Sequence, residues 1–133
     1  MANTISALSA LRALHKGVLY LPIKQCWLDM IFSGVKKDEY RHVTAYYISR
    51  ICPHYKKGEK CFTCPHFAQC RKKIATSLRF VVFHNYRNRR VTFKIDKIRI
   101  DYGKPEWGAD IGLLFVISLG KKVYDSNTKN KKS

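Results

Sequence analysis

The stretch from Val91 to Ile100 constrains the fold more than any other part of the chain. Val91, Phe93 and Ile95 alternate with Thr92, Lys94 and Asp96, the period of two expected of a strand with one buried face. Ile98 and Ile100 then fall on the opposite parity. A strand can keep both apolar runs on one side only by accommodating an extra residue between them. The switch therefore predicts a bulge, and with it a curved sheet. Other apolar runs offer partners for this strand: Val18-Leu19-Tyr20-Leu21 ended by Pro22, residues 78–83, and residues 113–119 broken at Gly120.

Helices are expected between these runs. Ile5, Leu8, Leu11 and Leu14 form one stripe over residues 4–15, stopped by Gly17. Trp27, Met30 and Ile31 share a face over residues 24–33, with Gly34 as the stop. Residues 44–51 suit a second short helix, while 36–41 read as extended. The order of elements predicts an α+β fold, a small curved β-barrel flanked by helices.

At 133 residues the chain has the size of one domain. Residues 1–17 read as a helical extension, 18–125 as the domain with an insert at 52–70, and 126–133 as a disordered basic tail. That tail contains Asn, Lys and Ser but no apolar side chain. No run of about 18 apolar residues exists, and the N-terminus lacks the pattern of a secretory signal. A cytoplasmic setting follows as the expectation, with its cysteines kept reduced.

The charge balance narrows the partners. With 26 Lys and Arg against 9 Asp and Glu, the formal charge is +17, and a polyanion is the natural counterpart. Tyr86, Arg87, Arg89 and Arg90 lie on a turn between two apolar strands, where a protruding basic loop suits phosphate contact with base stacking.

A second charged run, Gly34-Val35-Lys36-Lys37-Asp38-Glu39-Tyr40-Arg41, follows a helix stop. In an extended segment Glu39 and Arg41 face the same side, and Lys36 reaches the same space from the turn. Such a cluster suits phosphate binding or proton transfer. On spacing alone the run reads first as a solvated charged strand, since charge runs are usually exposed. Gly34, Lys36, Glu39 and Arg41 together fill a Gly-x-Lys-x-x-Glu-x-Arg pattern, after Leu21-Pro22-Ile23-Lys24 and Trp27-Leu28-Asp29-Met30-Ile31. Downstream stand Gly103-Lys104-Pro105-Glu106-Trp107-Gly108-Ala109 and Phe115-Val116-Ile117-Ser118-Leu119-Gly120. In these two separated motifs the chain resembles the ASCH domain, a PUA-like fold, in its small phage and bacterial form.

The resemblance implies a six-stranded barrel with a cleft beside the signature, and RNA as partner. It also implies an alternative: a small hydrolase, acting on a modified nucleoside as an amidohydrolase or on RNA as a ribonuclease. Lys36 matches the essential lysine of the amidohydrolase pattern. Glu39 stands where that pattern has Thr, and Glu106 corresponds only loosely to its catalytic Glu. Lys36, Glu39 and Glu106 are thus the candidate catalytic residues. Lys36, Arg41, Tyr86, Arg87, Arg89, Arg90 and Trp107 are the candidate RNA contacts. Trp107 reads either as a stacking platform or as a core plug.

Cys52, Cys61, Cys64 and Cys70 fall within nineteen residues, with a Cys-x2-Cys step that suits two thiolates on one metal. Zn²⁺ on four sulfurs is the expected cofactor. An iron–sulfur cluster and free thiols remain alternatives. Cys26 lies apart, in the helix after Pro22.

Overall fold

A computed structural model describes residues 17–55, 58, 60–85 and 88–127. The five strands are β1 (Val18–Pro22), β2 (Asp38–His42), β3 (Phe80–His84), β4 (Arg90–Tyr102) and β5 (Leu113–Asp125). The helices are α1 (Gln25–Phe32), α2 (Ala45–Ile51) and α3 (Phe67–Cys70), with single 3-10 turns at Cys61–Thr63 and Pro105–Trp107. Among the described residues these five strands form one curled sheet in the order β1-β3-β4-β5-β2, with β1–β3 parallel and the other pairs antiparallel.

The parity switch in β4 is structural. Its pairing with β5 shifts register between Thr92 and Phe93, again before Ile95, and again before Lys97. Val91 and Phe93 on one side of the irregularity and Ile98 and Ile100 on the other are all buried. The irregularity lets one long strand follow the curl while keeping its apolar side chains inward.

Two expectations are corrected. The chain was expected to break its last strand at Gly120, yet β5 runs through Gly120 to Asp125. A Cβ on Gly120 would lie 2.5 Å from Asp96 Oδ1, so this glycine admits a side chain from the neighbouring strand instead of ending its own. The resemblance implied six strands, whereas the described residues hold five, and the sheet does not close strand to strand. The guanidinium of Arg41, on edge strand β2, instead donates a hydrogen bond to the carbonyl of Pro22 on the opposite edge, β1. One side chain thus bridges the seam of the half-barrel.

The core fills the concave side. Leu19, Leu21, Val81, Phe83, Val91, Ile98, Ile100, Phe115 and Ile117 are buried on the strands, and Leu28 and Ile31 of α1 pack onto them. Leu28 and Ile31 are the buried residues of α1; of the face expected at Trp27, Met30 and Ile31, Trp27 and Met30 are only partly buried. Gly34 takes a φ of +82° just after α1, a conformation a side chain would strain, and turns the chain toward β2. The expected helix at 4–15 and the tail beyond residue 127 lie outside the described residues. Among the described residues no helix is long and apolar enough to cross a membrane.

Candidate nucleic-acid interface and cysteine cluster

Lys36 lies in the turn between α1 and β2, where its backbone N–H donates to the carbonyl of Met30. The turn aims its side chain inward, and the residue is 1% exposed. Its ammonium sits 4.7 Å from the centre of the Tyr40 ring and 5.5 Å from that of Trp27. It pairs with Glu39 Oε1 at 3.0 Å and donates to the backbone carbonyl of Trp107. Glu39 Oε2 takes Arg41 Nη1 at 2.7 Å. Residues 39 and 41 share one side of β2, as the spacing predicts. The run is therefore no solvated charged strand, since Lys36 and Glu39 are both buried. Burial lowers the Lys36 pKa from its ordinary value, and the charge and hydrogen bond of Glu39 oppose that fall.

Beside this cluster, with Arg41 as the member they share, opens a cleft of about 420 Å³, lined also by Trp27, Tyr40, His42, Tyr47 and Asp110. His42 Nε2 lies 3.1 Å from Asp110 Oδ2 on its rim. Three aromatic side chains and Arg41 thus border one space whose volume falls in the range of small-molecule sites.

The far wall is the loop after β4. The backbone N–H of Lys104 donates to the hydroxyl of Tyr40 at 3.1 Å. Gly103 permits this approach: a Cβ there would lie 2.5 Å from the Ala109 Cβ and 2.6 Å from the Tyr40 ring. Gly103→Ala should therefore push the loop off Tyr40 and cost about 1–3 kcal/mol, the range for overpacking, read as a lowered midpoint of urea unfolding. An unchanged midpoint would mean that the loop yields freely.

The other sequence candidates are distributed as follows. Trp107 contributes its carbonyl to Lys36, while its partly buried ring packs beside Tyr40, Leu114 and Val116 under the Lys104 ammonium. It serves more as a plug than as an open platform. Glu106 is exposed on the 3-10 turn, and the residue after it, not Glu106, reaches Lys36. Arg89 pairs with Asp125 at 3.0 Å and lies over the Phe32 ring, so it fastens the β3–β4 turn to the end of β5. Arg90 is exposed. Tyr86 and Arg87 lie outside the described residues.

Cys52, Cys61, Cys64 and Cys70 line one small cavity with Ile48 and Phe67. Burial, and then the charges of Cys70, Cys52 and Cys64, push the Cys61 thiol up to about 11. Among the described residues no three His, Cys, Asp or Glu side chains are arranged to hold a metal ion. A signal the sequence reasoning passed over is the repeat Cys52-Pro53-His54 and Cys64-Pro65-His66. In each copy the histidine backbone N–H donates to the cysteine sulfur two residues earlier at 3.4 Å. The two imidazoles stack at 3.8 Å with an interplanar angle of 12°. Tyr47, His42 and Asp110 were also missed, because nothing local in the sequence marks them as cleft residues.

No family model, no curated protein and no solved structure matches the chain.

Proposed function

We propose that the protein is an RNA-binding module of the ASCH, PUA-like type, acting in the cytoplasm, with its site at the cleft beside Lys36, Glu39 and Arg41. One observation carries this reading: an aromatic-lined cleft of about 420 Å³ that shares Arg41, Tyr40 and Trp27 with the surroundings of the buried Lys36–Glu39 pair, in a chain of net charge +17. Trp27, Tyr40 and Tyr47 suit an unstacked base, and single-stranded RNA offers such bases. Exposed Lys24, Arg50, Arg90 and Lys104 suit its phosphates. Arg50 follows Tyr47 by three residues on α2, and Lys104 begins the far wall. Pro22, His84 and Arg90 stand side by side across β1, β3 and β4, so a basic track can run from the Arg41 seam to Arg90. In this reading Arg41 lines the cleft while Lys36, held by Glu39 outside the lining, positions the Trp27 and Tyr40 rings that do line it. The insert at 52–70 is stapled by a metal on its four cysteines, zinc by the chemistry of the donor set, with an iron–sulfur cluster as the alternative.

Tyr47→Ala tests the cleft. Losing one stacking ring should weaken single-stranded RNA binding by about 1–3 kcal/mol, roughly 5- to 150-fold, without altering the salt dependence. Fluorescence anisotropy of a labelled oligonucleotide reads both quantities. Unchanged affinity would move the RNA off the cleft.

A second reading, hydrolysis of a modified nucleoside or of RNA, rests on the buried Lys36, whose lowered pKa brings its ammonium closer to proton transfer. Turnover that disappears in Lys36→Met while RNA affinity persists would favour it.

A further inference from the structure

The cysteine cavity and the cleft are joined at both ends of the insert. Cys52 is the C-cap of α2, its N–H bonded to the carbonyl of Ile48. On the same short helix Ile48 lines the cysteine cavity and Tyr47 lines the cleft. At the other end Cys70 closes α3, and Arg71 follows it directly. Arg71 donates through Nε to the carbonyl of Ile100 at 2.8 Å and pairs with Asp101 at 3.2 Å. Two residues beyond Asp101 is Gly103, where the far wall of the cleft begins. The first and last cysteines are thus each tied to one wall: Cys52 through α2 to Tyr47, and Cys70 through Arg71 to the loop that holds Lys104 and Trp107.

We propose that a thiolate-bound metal ion on Cys52, Cys61, Cys64 and Cys70 sets the spacing of the cleft's two walls, coupling the insert to the ligand site. The inference rests on the metal-stapled reading of the insert. Two Cys-Pro-His arms with paired N–H···S bonds and stacked imidazoles already lie side by side, as second-shell donors around a thiolate centre do. Tetrahedral coordination at about 2.3 Å requires the four sulfurs to close on a common point. The four cysteines already line one cavity, so coordination at a common point fixes them relative to one another and with them the C-cap of α2 and the segment anchored by Arg71. Each thiol gives up its proton as its sulfur coordinates, so binding releases protons to the buffer.

The chain's two tryptophans report on this without RNA, since Trp27 lines the cleft and Trp107 stands in its far wall. Reduced, chelator-treated full-length protein is titrated with Zn²⁺ while zinc content, tryptophan emission and far-ultraviolet circular dichroism are followed. The expected result is one zinc per chain, a shift in emission that saturates at that ratio, and unchanged sheet signal. Cys64→Ser should lose both metal and shift. Cys26→Ser, whose cysteine lies outside the cavity, should keep both. Arg71→Ala should still bind one zinc but lose much of the shift, because one strap is cut. Stoichiometric zinc with unaltered emission would overturn the coupling while leaving the staple. No zinc bound would overturn the staple and the coupling together. Neither result depends on whether RNA binds.

Discussion

Glu39→Gln should lower the melting temperature by on the order of 10 °C at about pH 6, and by clearly less at about pH 9. Glu39 is 5% exposed and its two oxygens divide between Lys36 and Arg41. Replacing it with the neutral isostere leaves a buried ammonium facing a nearby guanidinium, with a carbonyl and two aromatic rings as its remaining partners. Breaking a buried pair in this way costs about 3–5 kcal/mol. Lys36 can relieve the cost by releasing its proton. Burial already lowers its pKa, and removing Glu39 removes the main influence that raises it. Between the lowered folded value and the ordinary 10.5, the unfolded chain binds more protons than the folded one, so stability rises with pH through that window. The difference in melting temperature between variant and wild type should therefore shrink as pH rises. Lys36→Met, which removes the cation and keeps most of its volume, should cost less, because Glu39 retains Arg41. A Glu39→Gln penalty that is equal at both pH values would show that Lys36 is not the group left stranded.

How far the sequence foretold this architecture depended on the range of the physics involved. The β4 bulge was legible because burial imposes period two and the parity visibly switches between Ile95 and Ile98. The α1 stop was legible because Gly34 marks a left-handed turn. Gly120 misled because a strand glycine looks the same whether it ends a strand or makes room for a neighbour. Only the cross-strand position of Asp96 decides between them. The side shared by Glu39 and Arg41 followed from strand geometry, but the burial of Lys36 did not. That burial needs the Trp107 carbonyl, seventy-one positions away, and the rings of Trp27 and Tyr40. Arg89 looked free for phosphate because its partner Asp125 lies thirty-six positions on. The four cysteines announced a cluster by spacing, whereas the attachment of Arg71 to the end of β4 appears only once the sheet has formed.

In the proposed function, single-stranded RNA lies across the cleft with its phosphates on exposed cations. The most direct test is the affinity of a short single-stranded RNA measured against salt concentration. If five phosphates are neutralised, log K falls against log salt with a slope near about −3.5. Raising salt from about 50 to 200 mM then weakens binding roughly a hundredfold. Reversing two rim charges, Lys104→Glu with Arg90→Glu, should flatten the slope by about 1.4, two phosphates' share. A slope indistinguishable from zero, or binding that is tight and indifferent to both substitutions, would contradict the claim.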